Sequence, residues 1–114
     1  MLITNCLWAG HLSSVLTTLR RSLGQYARHH RFIYVGATSD QKGRWTAHER
    51  EDWEHMILLW STSSHQQIRR AKTELIDWAW ERYSGRTIVE NQRAGGGGLS
   101  NDSSRYFVYV LIEK

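Results

Sequence analysis

The chain of 114 residues contains no proline, a single cysteine and no long apolar segment. Because Cys6 has no second cysteine to pair with, an internal disulfide is impossible, which excludes a disulfide-stapled secreted scaffold and favours a reducing cytoplasm. The uncharged apolar runs, such as Met56–Trp60, are far too short to span a bilayer, and the chain does not open with the pattern of a secretory signal. We therefore expect a cytoplasmic protein with no membrane partner, folded as a single domain over residues 1–114.

Positive charge is in modest excess and is unevenly distributed along the chain. The 15 Lys and Arg residues outnumber the 11 Asp and Glu residues, giving a net charge of +4. Residues 1–48 hold six basic side chains and one acid, Asp40, and a second basic cluster follows at Arg69, Arg70 and Lys72. This distribution suits a polyanionic partner such as nucleic acid, although charge that serves solubility alone has the same appearance.

The spacing of apolar residues predicts the secondary structure. Helices are predicted over about 10–28 and over 65–83, the second after a capping-box signature at Ser64 and Gln67. The remaining predicted elements are strands over 31–37, 54–61 and 105–112, a turn at 38–43, a short helix over 44–52 and a Gly-rich loop over about 91–104. The last strand has two apolar faces and is expected at the centre of the sheet. The predicted fold class is α+β, with a small three-stranded, mainly antiparallel sheet flanked by two to three helices.

Four residues, Tyr34, Gly36, Arg44 and His48, form the constellation with the clearest chemistry. On a strand, Tyr34 and Gly36 point to the same face, and a glycine lets a ligand or a backbone approach closely. Arg44 and His48 are four residues apart and share one face of a helix. A phenol or an imidazole that handles a water proton, together with a guanidinium that balances charge on phosphorus, suits phosphodiester hydrolysis.

The segment from Tyr34 to His48 reads YVGATSDQKGRWTAH and resembles the second half of the GIY-YIG nuclease signature. In that family YIG or YVG is followed by an arginine and, one helical turn later, by a histidine. The resemblance covers roughly residues 32–98, and it implies a GIY-YIG-like fold with endonuclease activity. It further implies that Glu74 binds a divalent metal, Mg²⁺ or Mn²⁺, and that Asn91 belongs to the catalytic set. Without the resemblance, the sequence favours the interpretation that Glu74 is a solvent-exposed glutamate on a helix, paired with Arg70.

The opening strand of the family, which carries the GIY tyrosine, is missing from its usual place. Tyr26 stands too close to Tyr34 to leave room for a strand, a turn and a second strand. Our hypothesis is a circular permutation, in which the strand over 105–112 lies beside 31–37 and Tyr109 supplies the phenol. The alternative is that 105–112 is only a core strand and that the active site is incomplete.

Contacts with nucleic acid are expected from Arg31, Lys42, Trp45 and Arg93. For Trp45, stacking on a base competes with the interpretation that the ring packs in the core. The histidines and the cysteine lack the spacing of a zinc site, and no GK[ST] follows the run of glycines, so that run is not a phosphate loop.

Together these residues predict a metal-dependent endonuclease that hydrolyses phosphodiester bonds, in DNA or RNA and most simply in DNA, as a monomer or a homodimer. Tyr109 or Tyr34, with His48, would help to deprotonate water, and Arg44 would stabilise the charge on phosphorus. The first alternative is a nucleic-acid-binding module of the same fold that no longer cuts. The second is a protein-interaction or inhibitor domain built on exposed tryptophans.

Overall fold

The computed structural model describes residues 3–29, 32–50, 53–83, 88–89 and 105–112. Within these ranges, strands and helices alternate until the last two strands. The strands are β1 (Ile3–Trp8), β2 (Phe32–Thr38), β3 (His55–Thr62), β4 (Ile88–Val89) and β5 (Tyr106–Ile112), and the helices are α1 (Leu12–His29), α2 (Gln41–Glu49) and α3 (His65–Tyr83).

The described strands form one five-stranded mixed sheet in the order β1-β3-β5-β2-β4. β5 runs antiparallel to β3 and to β2, whereas the outer pairs, β1 with β3 and β2 with β4, are parallel. The α+β class is therefore confirmed, and the prediction of three mainly antiparallel strands is roughly matched: the three predicted strands form the antiparallel centre of the sheet, and two further strands pair with them in parallel at its edges. Both missed strands lie at the edges: β4 has two residues, and β1, with the sequence ITNCLW, shows no clean apolar alternation.

β5 is the central strand, as its two apolar faces predict. Its Tyr109 lies opposite Gly36 of β2 and also opposite Leu58 of β3. The C-terminal strand is thus a direct neighbour of β2, which is the pairing expected for the strand over 105–112. This register places Tyr109 at mid-sheet, beside the YVG segment.

α1 and α3 pack on one another and cover one face of the sheet. The bounds of α3 agree with the predicted helix over 65–83. Residues at three- and four-residue spacing face the core and are almost fully buried; they are Leu12, Val15, Leu19, Leu23 and Ala27 in α1, and Ile68, Ala71, Leu75, Ile76 and Ala79 in α3. The long helices therefore owe their position to apolar stripes that the sequence displays.

The opposite face of the sheet carries a second, smaller cluster beneath α2. Along β5, Val108 and Val110 belong to the first cluster, whereas Tyr109 and Leu111 belong to the second, because successive side chains of a strand point to opposite faces. The other buried members of the second cluster are Trp45, Trp53, Met56 and Leu58. Tyr109 therefore points away from α1 and α3 and toward α2.

The tryptophans are mostly packed rather than displayed. Trp45, Trp53 and Trp60 are buried, and Trp8, which is 48% exposed, is the exposed tryptophan among the described residues. An interaction domain built on several exposed tryptophans thus lacks its surface in the described part of the chain. None of the helices in the described ranges has the length and apolar character needed to cross a membrane.

Candidate active site

A buried hydrogen bond joins the two chain segments that the sequence singles out. His48 Nε2 of α2 lies 2.7 Å from Tyr109 Oη of β5, and His48 and Tyr109 are 7% and 1% exposed. A short bond in a site that excludes water is stronger than the same bond at the surface. It fixes the orientation of the imidazole.

Tyr34 completes this aromatic group. Its ring centroid is 5.2 Å from that of His48 and 6.2 Å from that of Trp53, and its side chain is half-buried. The side chains of Tyr34, His48 and Tyr109 therefore lie together between α2 and the sheet, as the sequence predicts. Tyr26, the other candidate for the missing phenol, lies on α1 and packs against the first cluster, on the opposite face of the sheet.

Gly36 makes room for Tyr109. A Cβ atom built on Gly36 would overlap Cζ and Oη of the Tyr109 ring, so the phenol lies directly over the bare backbone of β2. Only glycine permits this approach, and the approach carries the Tyr109 hydroxyl to His48. The glycine of the YVG segment thus has a packing role that its spacing to Arg44 does not reveal.

Replacing Gly36 by alanine is expected to lower the free energy of unfolding by about 1–3 kcal/mol, because the added methyl overpacks against a fully buried ring. Denaturant unfolding of Gly36→Ala, alone and combined with Tyr109→Leu, measures the effect. In the Tyr109→Leu background, which lacks the overlapping atoms, the alanine should cost less than about 0.5 kcal/mol. An equal loss in both backgrounds would show that the ring is not the cause.

α2 begins at Gln41, three residues before the predicted start, because Asp40 caps it. The Asp40 carboxylate accepts a hydrogen bond from the backbone N–H of Gly43 at 3.1 Å, which satisfies one of the orphan donors of the first turn. The predicted turn over 38–43 thus contributes the first three helical residues. With this start, Arg44 and His48 stand one turn apart, in the middle and the last turn of the helix.

Arg44 is exposed on α2, and its positive charge acts on a lysine of α3. Burial and the positive charge of Arg44 both lower the pKa of Lys72 below its usual range. Neither Arg44 nor Lys72 belongs to the described ion pair that joins Arg20 and Glu74. Two positive charges that repel one another favour the binding of an anion.

In the sequence, Lys72 belongs to a basic cluster, and no role in the site is predicted for it. It stands between Ile68 and Ile76 in a row of residues four apart, and both isoleucines are buried. A charged residue in the apolar row of a helix is the signal that could have identified it.

Glu74, the predicted metal ligand, is engaged elsewhere. Its Oε2 lies 3.1 Å from Nη2 of Arg20 on α1, so its partner comes from the neighbouring helix and not from Arg70 of its own helix. The pair is partly exposed, with side chains 34% and 38% accessible, and its stabilising effect is correspondingly small. The carboxylate faces α1.

A magnesium ion could bind Glu74 only if it displaced the Arg20 guanidinium. An ion on Glu74 would share its carboxylate with the Arg20 guanidinium, whose positive charge opposes a second cation. Among the described residues, moreover, no three His, Cys, Asp or Glu side chains lie close enough to form a metal-binding group. The role of Glu74 as a metal ligand stays a prediction.

The other predicted contact residues fall into two groups. Lys42 is exposed on α2, beside Arg44 in the sequence, where it can meet a phosphate. Trp45 is only 2% exposed and belongs to the second cluster, which agrees with the core interpretation and leaves no free ring face for a base. The predicted roles of Arg31, Asn91 and Arg93, and the loop over 91–104, fall outside the described residues.

Comparison of the chain with known protein families, with curated proteins and with solved structures found no match in any of the three.

Proposed function

We propose that this chain is an endonuclease that hydrolyses phosphodiester bonds in nucleic acid, most simply in DNA. The observation that carries the proposal is the buried hydrogen bond between Tyr109 and His48, flanked by Tyr34. These side chains come from three separate elements, and each belongs to the set that the GIY-YIG resemblance implies. The positive charges of Arg44 and Lys72 add the anion-binding chemistry that a phosphodiester needs.

In the proposed reaction a water oxygen attacks phosphorus and one P–O ester bond breaks. His48 accepts the proton of the water, directly or through the half-buried hydroxyl of Tyr34. Tyr109 is too deeply buried to meet the substrate, so it acts through His48 by holding the ring in one orientation. Arg44, with Lys72 behind it, stabilises the negative charge that develops on the phosphoryl oxygens. The leaving oxygen takes a proton from solvent.

Metal dependence is proposed from the resemblance alone. A divalent cation near the scissile phosphate would neutralise charge and polarise the phosphoryl group. Its ligand would be Glu74, provided that Arg20 releases the carboxylate on binding nucleic acid. Arg20→Gln, which frees this carboxylate, should then lower the magnesium concentration that half-saturates cleavage.

The proposal is tested by incubating the purified protein with supercoiled plasmid in magnesium buffer. We expect nicked or linear plasmid from the wild type, and no product after addition of EDTA. The matched control is His48→Gln prepared in the same way, since equal cutting by both proteins would reveal a contaminating nuclease and refute the proposal.

A binding module that does not cut is the second candidate, and the Arg20–Glu74 ion pair favours it. This pair withholds the predicted metal ligand while it leaves Arg44 and Lys72 to contact phosphates. Such a module would retain plasmid without magnesium, and its affinity would fall steeply as salt rises, by about 0.9 logarithmic units per phosphate contact for each tenfold increase. Retention of this kind without cutting would decide for the second candidate.

A further inference from the structure

A cavity of about 460 Å³ opens at the edge of the sheet where β1 and β3 end and β5 begins. Its walls come from the turn between β1 and α1, the turn between β3 and α3, and the first residue before β5. None of Tyr34, His48 and Tyr109 lines it. The cavity is therefore a second site, and a ligand could occupy it whether or not the chain is a nuclease.

Both turns that form the cavity are fixed by hydrogen bonds. Gly10 adopts φ of +127°, a conformation that favours glycine, and its carbonyl accepts a hydrogen bond from the buried indole N–H of Trp60 at 3.0 Å. In the other turn, the backbone N–H of Ser64 donates to Thr62 Oγ1, and the N–H of Gln67 donates to Ser64 Oγ, each at 3.1 Å. A site held in this way loses little entropy when a ligand binds.

The lining is basic and rich in hydroxyl groups. Arg70 of α3 and Arg105 before β5 border the cavity, and among the described residues no acidic side chain lines it. Ser13, Ser61 and Thr62, which carry hydroxyl groups, line the same space. Guanidinium groups match the geometry of phosphate oxygens, and hydroxyl donors complete such a site.

The size of the cavity distinguishes between possible anions. Small-molecule sites occupy about 300–1,000 Å³, so this cavity is far larger than inorganic phosphate requires. Trp60, 3% exposed, and Leu12 contribute apolar wall beside the basic rim. An organic group attached to the phosphate would fill the remaining space against this wall.

We infer that the cavity between the ends of β1 and β3 binds a phosphate monoester of mononucleotide size, with Arg70 and Arg105 on the phosphate. The ligand is a free nucleoside monophosphate or the phosphorylated end of a nucleic-acid strand, since both present the same chemical group.

Titration with deoxyadenosine monophosphate tests the inference, with the NMR signal of the Trp60 indole N–H as the reporter. We expect saturable binding that weakens about tenfold or more in Arg70→Gln and in Arg105→Gln, because each loses a charge-assisted hydrogen bond. Arg69→Gln is the matched control, since Arg69 neighbours Arg70 on α3 but does not line the cavity, and it should bind as the wild type does. Both replaced arginines are exposed, and thermal unfolding of each variant verifies that it is folded.

Three further ligands complete the experiment. Deoxyadenosine, which lacks the phosphate, should not bind, and inorganic phosphate should bind more weakly than the monoester. A 5′-phosphorylated oligonucleotide that binds through the same arginines more tightly than the mononucleotide would identify a strand end as the source, and equal affinity would identify the free nucleotide. Absence of monoester binding, equal affinity for deoxyadenosine or for inorganic phosphate, or affinity unchanged in both arginine variants would overturn the inference.

Discussion

Replacing His48 by glutamine is expected to slow plasmid nicking by about 10²–10⁴-fold, the range that general acid–base catalysis contributes. His48 is the titratable side chain at the centre of the aromatic group, bonded to Tyr109 and packed near Tyr34. Glutamine keeps a polar side chain on α2 but cannot accept a proton from water at neutral pH. The initial rate of nicking in excess magnesium is the measurement.

The matched control is His29→Gln, at the exposed end of α1 and remote from α2. It should nick at the wild-type rate, and a comparable loss in this control would mean that the assay does not report on the site. Wild-type nicking by His48→Gln would refute the assignment of the base.

Tyr109→Phe separates the positioning role of Tyr109 from the role of the base. The ring remains over Gly36 while the hydroxyl that holds His48 is lost, so we expect a smaller loss of rate than in His48→Gln. Because Tyr109 acts through His48, the double variant should be no slower than His48→Gln alone. Losses that multiply would show that Tyr109 contributes independently and would contradict the positioning role.

Local patterns predicted those parts of the structure that local interactions determine. α3 is predicted over 65–83 because its apolar stripe and its capping residues lie within one segment. The central place of β5 could also be predicted, since a strand with two apolar faces lies inside a sheet, whereas its adjacency to β2 followed only from the circular permutation that the resemblance suggested. Tyr109 and His48 are 61 residues apart, and only the resemblance to a known signature pointed to both.

The rest depends on contacts between segments, which spacing along the chain does not encode. β1 is a strand because β3 offers a parallel edge, not because ITNCLW alternates. Glu74 binds Arg20 because α1 packs on α3, bringing together residues 54 positions apart, whereas the rule for neighbours on one helix suggested Arg70. The electrostatic effect of Arg44 on Lys72 likewise joins two helices that are separate in the sequence.

Replacing Arg44 by glutamine is expected to lower the nicking rate by about 10²–10³-fold, which is the usual effect of removing one group that stabilises transition-state charge. The dependence of plasmid binding on salt should also become shallower, by about 0.9 in the logarithmic slope for the lost phosphate contact. Arg50→Gln is the matched control, because Arg50 follows the same helix and is exposed. Equal rates in the two variants would remove Arg44 from the site.

Stability distinguishes a functional role of Arg44 from a structural one. Lys72 has a lowered pKa in the folded protein, partly because of Arg44, whereas in the unfolded chain its pKa is near the ordinary lysine value of about 10.4. Protonated Lys72 therefore destabilises the folded protein at neutral pH. Between the lowered pKa of the folded protein and the ordinary pKa of the unfolded chain, the unfolded chain binds more protons. The free energy of unfolding therefore increases as the pH rises through this range. Arg44→Gln removes part of this repulsion and should raise the pKa of Lys72, measurable by NMR titration of its side chain.

Arg44→Gln and Lys72→Met should therefore both be at least as stable as the wild type at neutral pH, while both lose activity and phosphate binding. A residue that served the fold would show the opposite correlation, with activity lost because the protein unfolds. The presence of two cations whose repulsion lowers stability is explained if both serve to bind an anion. The scissile phosphate would be that anion. Thermal unfolding at neutral pH measures the stability of each protein without DNA and its stabilisation by a short DNA duplex. The duplex should stabilise the wild type more than either variant. If the variants are less stable than the wild type and bind the duplex equally well, the pair is structural and the proposed site loses its phosphate-binding group.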